Sequence, residues 1–108
     1  MPAAIGTIHR VLKPGGSALV TFAGISKISP RDMARWGEFW RVTSLAARKM
    51  FEEVFAQANV QVESFGNVLT AISFLHGIAA NELTEAELNH HDPCYELIIA
   101  VRAMKEDQ

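Results

Sequence analysis

The chain has 108 residues, 49% of them apolar and 20% charged, which excludes a disordered tail and calls for one domain, residues 1–108, around one core. A formal net charge of −2, with ten basic residues scattered so that no run exceeds Arg48-Lys49, argues against a nucleic-acid partner, because phosphate recognition needs clustered Lys and Arg. No apolar stretch reaches the roughly 18–20 residues of a membrane span, and the single cysteine, Cys94, excludes an internal disulfide and suits a reducing compartment.

Met1-Pro2-Ala3-Ala4 lacks the basic flank and apolar run of a secretion signal, so a cytoplasmic location is expected. Ile5, Ile8, Val11 and Leu12 then fall at helical spacing, and the stripe ends at Lys13. Pro14-Gly15-Gly16 stops the helix, since Pro cannot continue it and Gly accepts the positive φ of a tight turn. The run from Ser17 to Ala23 is apolar without polar alternation, which predicts a strand covered on both faces. Residues 24–43 read as a loop and a short helix, with Met33, Trp36, Phe39 and Trp40 crowded together.

Thr43 or Ser44 suits the cap of the next helix, whose apolar positions Ala47, Met50, Phe51, Val54, Phe55 and Ala58 follow the i, i+3, i+4 pattern from Leu45. Arg48, Lys49, Glu52 and Glu53 take its wet face. Val60-Gln61-Val62-Glu63 alternates as a strand with one dry face, and Gly66-Asn67 turns the chain. Residues 68–80 are apolar nearly all round, which predicts a helix buried or packed on a partner. Thr84-x-x-Glu87 is a capping box, flanked by Leu83 and Leu88. A polar loop at 90–93 precedes the unbroken apolar strand Leu97–Val101, and a charged tail from Met104 trails off.

The segment Ile8-His9-Arg10-Val11-Leu12-Lys13-Pro14-Gly15-Gly16, followed by the strand from Ser17, resembles one part of class I S-adenosylmethionine-dependent methyltransferases. There an "RVLKPGG" turn joins the helix after the fourth strand to the fifth strand. Phe39-Trp40-Arg41-Val42-Thr43-Ser44-Leu45 is similar to the "WRFT" lead-in to the fifth helix. The resemblance spans roughly residues 5–104 and covers only the C-terminal half of the family's domain. It implies an α/β, partial Rossmann-like methyltransferase fold: a three-stranded mixed sheet in the order 5-7-6 by the family's labels, with flanking helices. It also implies S-adenosylmethionine as cofactor, yet the family's glycine-rich turn after the first strand and the acid ending the second have no counterpart here. No cofactor-binding or catalytic residue is therefore carried over, and the chain is not expected to bind the cofactor alone. Pro14, Gly15 and Gly16 carry over as structural turn residues.

The aromatic segment after the fifth strand often lines the acceptor pocket in these enzymes, so Trp36, Phe39, Trp40 and Arg41 are the substrate-binding candidates. The competing reading makes the three rings core that caps the sheet's open end. His90, His91, Asp92 and Cys94 are metal-friendly residues, but structural zinc sites draw on separated ligand pairs, so no metal is assigned and a polar loop is preferred. His76 reads as a core or interface histidine rather than a catalyst. The strand from Ala18 to Ala23 reads as central although its expected neighbour, the fourth strand, is missing. A bare edge of that kind invites another chain, so a homo-oligomer, a dimer first, or the missing N-terminal half is the expected partner. Three functions stay open: an inactive C-terminal fragment of a small-molecule methyltransferase, one half of a split enzyme, or a non-enzymatic dimerisation or binding module.

Overall fold

Pro at the first helical position, a site whose N–H has no helical partner anyway, starts α1 (Pro2–Val11) in the computed structural model, which describes residues 1–107. Leu12 leaves the helix in an extended conformation, and Pro14-Gly15 turn the chain, with Gly15 at φ 77°. β1 (Ser17–Ala23) follows, then α2 (Pro30–Arg35), capped by the Ser29 side chain on the Asp32 N–H. α3 (Ser44–Glu52) is capped by Thr43, whose hydroxyl accepts from the Ala46 N–H. One 3₁₀ turn, Gln57–Asn59, leads into β2 (Val60–Phe65). α4 (Val68–His76), a second 3₁₀ turn (Ala80–Glu82) and α5 (Glu85–Asn89) fill the stretch before β3 (Ile98–Met104).

The three strands form an α/β protein's open sheet in the order β1-β3-β2. Both pairings are antiparallel, with Val20 opposite Val101 and Val62 opposite Val101. The expectation of a mixed sheet is thereby corrected. β3 runs against both neighbours, so β1 and β2 point the same way but never share a ladder.

Alternation along the strands splits the sheet into two unlike faces. Val20, Phe22, Val60, Val62, Ile99, Val101 and Ala103 point to one side, where Ile5 of α1 and Ala47 and Phe51 of α3 complete the core with Val42 and Phe55. Phe51 stacks near Phe55 and meets Phe22 edge-on. Leu19, Thr21, Gln61, Glu63, Ala100 and Arg102 line the other side, an uncovered concavity of about 710 Å³. The strand from Ser17 to Ala23 is therefore not covered on both faces: its residues alternate between exposed and half-buried, and Leu19 is 80% exposed. Among the described residues, α1 and α3 cover one face, and the other is bordered only at one end, by Phe74 of α4.

The dimensions are those of an open rather than a compact chain. The radius of gyration is 15.7 Å, against about 13 Å for a compact domain of this length. The accessible surface is 7406 Å², about a quarter more than the roughly 5,900 Å² that the mass predicts.

Two further expectations change. The apolar helix ends at His76 rather than Ala80, because Gly77 takes the left-handed conformation (φ 74°) that closes it. It is not buried within the chain either: small Thr70, Ala71 and Ser73 face inward while Val68, Leu69, Ile72, Phe74 and Leu75 stay exposed. Residues 105–107 do not trail off, and Gln108 lies outside the described residues. The Lys105 N–H donates to Gly16 O, the Gly15 N–H reaches the carbonyls of Lys105 and Glu106, and Lys105 Nζ holds Leu12 O at 3.0 Å. The tail thus fastens the turn at Pro14-Gly15-Gly16. No helix of the described residues is long and apolar enough to cross a membrane.

Candidate functional site

A groove of about 360 Å³ opens where β1 ends, between the start of α3 and the loop before β3. Its walls include Gly24, Arg41, Thr43, Cys94 and Glu96. Local chemistry builds each wall. The Gly24 N–H donates to Leu97 O, and a Cβ on Gly24 would collide with the Glu96 carbonyl, so only glycine lets the two segments approach this closely. The Val42 N–H donates to Ala23 O at 3.3 Å and ties the lead-in of α3 to the end of β1.

Glu96 sits at the N-terminus of α3 and accepts the Ser44 N–H at 3.0 Å. Burial pushes its carboxyl up, but hydrogen bonds from Ser44 and Ser64 and the charge of His91 outweigh that and hold it below the ordinary value. The positive end of the α3 dipole favours the same ionised state. Arg41 is similarly engaged: Nη2 donates to Lys27 O and to Glu38 Oε1, both at 2.9 Å, and Nη1 donates to Trp40 O. The second oxygen of Glu38 accepts the Ser29 N–H at 2.7 Å, and that bond, ahead of the Arg41 contacts, holds its carboxyl low. The groove's charges are thus satisfied by the protein itself. What remains is a small, partly apolar recess suited to an uncharged surface rather than to a free anion.

Of the four substrate-binding candidates only Arg41 reaches this groove. Trp36 and Phe39 stand in solvent, 66% and 80% exposed, and Trp40 is 49% exposed. The reading of these rings as core is therefore corrected. They follow α2 instead of lying on it, so no helical face gathers them, and Phe39 folds back over Gly37 while Arg35 covers Trp36. His76 is exposed at the end of α4, so it is no core residue. His9 is half-buried on α1, with its ring edge-on to Phe55 at 4.9 Å.

Among the described residues no three His, Cys, Asp or Glu side chains converge on a point where a metal ion could sit. His91 Nε2 lies 3.0 Å from Ser64 Oγ. That pair looks like a base and a nucleophile, but Ser64 also helps to hold the Glu96 carboxylate ionised. Which of the two donates depends on the imidazole tautomer, and among the described residues no third group orients the His91 ring as a base. Cys94 is exposed, its backbone N–H bound to Asp92 Oδ1, and no base orients toward it.

The Gly15-Gly16 turn is closed by the tail, because a Cβ at Gly15 would lie 2.7 Å from Asp107 Oδ1. β1 and β2 end in Gly24 and Gly66, leaving no acid after either strand to hold ribose hydroxyls.

Two residues that sequence reasoning passed over organise this end of the molecule. Glu96 acts across 52 positions, so no local pattern marks it. Asn67, 4% exposed, caps α4 at the Thr70 N–H and donates to Glu87 O and His90 O, which stitches the 84–91 segment to the end of β2. Its place before an apolar helix was the available signal. Searches against family models, curated proteins and solved structures find no match.

Proposed function

We propose that this chain is the C-terminal half of a class I methyltransferase-like domain, inactive alone, whose cofactor-binding half is supplied by other polypeptide. β1, β3 and β2 then correspond to the family's fifth, seventh and sixth strands. The recess at Gly24, Arg41 and Glu96 contributes one wall of a pocket for a small-molecule methyl acceptor, in a cytoplasmic enzyme. S-adenosylmethionine would be held by the absent half, where it supplies the methyl group. This chain's residues position the acceptor's wall and close the sheet.

One observation carries the reading: β1, an uncharged strand, has a neighbour on one side only, beside a sheet face that is largely open. The same bare edge supports a split enzyme completed by a second chain, and a dimerisation module that retains the fold without the chemistry.

The test is to read the DNA upstream of the Met1 codon and to titrate the purified chain with S-adenosylmethionine in a calorimeter. The expected outcome is a nearby coding segment for a strand and glycine-rich turn, with no heat of binding from the 108 residues alone. Tight binding by the isolated chain overturns the proposal.

A further inference from the structure

The edge of β1 is shaped for one particular partner when the cofactor-binding half is not there. Gly24 N and Gly16 O both bond toward β3. Backbone groups alternate sides along a strand, so Ser17, Leu19, Thr21 and Ala23 direct theirs away from it. Ala23 is already engaged, because its carbonyl accepts the Val42 N–H. Among the described residues, Ser17, Leu19 and Thr21 therefore keep a free donor and a free acceptor.

Natural edges are guarded by charge, Pro or a bulge. Ser-Ala-Leu-Val-Thr-Phe-Ala has none of these, and each of its residues has a ladder partner on β3 without a bulge. The other edge of the sheet, β2, carries Glu63 in its middle and would repel a twin of itself.

We infer that two copies of this chain pair antiparallel through β1, about a two-fold axis at Leu19, to give one continuous six-stranded sheet. The inference rests on the bare edge that supports the proposed function, but it names a different occupant. Only a register that sets outward-pointing residues opposite one another forms hydrogen bonds and keeps both covered faces on the same side. Among such registers, the one centred on Leu19 pairs all three free residues: Ser17 with the partner's Thr21, Leu19 with its twin, Thr21 with the partner's Ser17. It leaves the Ala23–Val42 bond intact. It also buries Leu19, 80% exposed in the single chain, against itself.

Sedimentation of the full chain at micromolar concentration tests this, with Leu19→Cys and Val20→Cys variants made in a Cys94→Ser background. A dimer is expected. Leu19→Lys, at a site the fold does not bury, should weaken it about tenfold or more by setting like charges opposite and removing the contact, with circular dichroism unchanged. Leu19→Cys should form a disulfide-linked dimer under mild oxidation, since opposed Cα atoms in such a pair lie about 5.5 Å apart. Val20→Cys, whose twin sits two residues out of register, should crosslink poorly. A monomer, an unaffected Leu19→Lys dimer, or crosslinking at Val20 in place of Leu19 overturns the inference. A monomer that still takes up a supplied front half defeats self-pairing and leaves the half-enzyme reading standing. A Leu19-linked dimer with no upstream cofactor half does the opposite.

Discussion

The Glu96 carboxylate accepts the Ser44 backbone N–H across 3.0 Å and so joins the loop before the central strand to the first turn of α3. A helix start normally relies on a cap within its own turn. Here Thr43 provides that cap at the Ala46 N–H, and Glu96 satisfies a second orphan donor from 52 residues away.

Removing that carboxylate should loosen both segments at once. Glu96→Ala is expected to cost about 1 kcal/mol, lowering the melting temperature by about 4 °C or more in a domain of this size. Glu96→Gln, which keeps an acceptor oxygen but loses the charge, should cost less, about 0.5 kcal/mol. Thermal melts of the three proteins at neutral pH provide the comparison.

Glu96 and Glu38 should also give the fold an acid-sensitive component. Both carboxyls are held below their ordinary value in the folded state. The unfolded chain therefore binds protons first, and the stabilisation is complete above the unfolded carboxyl's value of 4.5. It is lost as pH falls below 4.5 through the folded values. Urea midpoints measured downward from neutrality should stay level and then drop, and the drop should be shallower in Glu96→Gln.

Glycines at 66 and 77 share a left-handed backbone but not their surroundings. A Cβ at Gly66, φ 134°, would lie 2.7 Å from Tyr95 O and 2.8 Å from Leu97 Cβ, whereas at Gly77, φ 74°, nothing lies within 4 Å. Gly77→Ala should cost about 1 kcal/mol, the backbone penalty alone. Gly66→Ala should cost about 3 kcal/mol or more, because overpacking adds to it. Denaturant titrations that rank them the other way would contradict the packing described for the loop before β3.

Gly6 lies inside α1, and no atom stands within 4 Å of where its Cβ would be. Gly6→Ala is expected to stabilise the protein by about 0.5–1 kcal/mol, seen as a higher urea midpoint with an unchanged slope.

Asn67 makes the opposite case. Asn67→Ala removes a buried cap and the donor to Glu87 O and His90 O. The expected loss is about 2–3 kcal/mol. Hydrogen exchange should speed up over residues 84–91 before the sheet responds.

The α/β composition of the fold was legible where period and punctuation agreed. Thr84 and Glu87 form their reciprocal pair of hydrogen bonds, and Thr43 caps α3, because caps are read within one turn. β2 covers the residues its alternation marks. The two-sided burial expected of β1 was not met, since an apolar run reports what a strand can tolerate rather than which layers surround it. Trp36, Phe39 and Trp40 misled for a related reason: aromatic side chains suggest a core, but α2 stops at Arg35 and leaves them on an extended segment. At the groove, Arg41 was identifiable from the sequence, whereas Glu96 and Gly24 gain their roles from partners far along the chain.

The position of β3 governs the order in which this fold can be made. It is the last of the three strands in the chain, yet it is the one strand that both others pair with. While a ribosome is still adding residues before Ile98, β1 and β2 have no ladder to join, and every backbone bond of the sheet waits on contacts that span 33 to 87 positions, from Phe65–Ile98 to Ser17–Met104. Loop closure of that length slows pairing and lengthens the time that apolar strands stand unprotected. The nascent chain therefore carries its greatest risk of clumping just before synthesis reaches Met104.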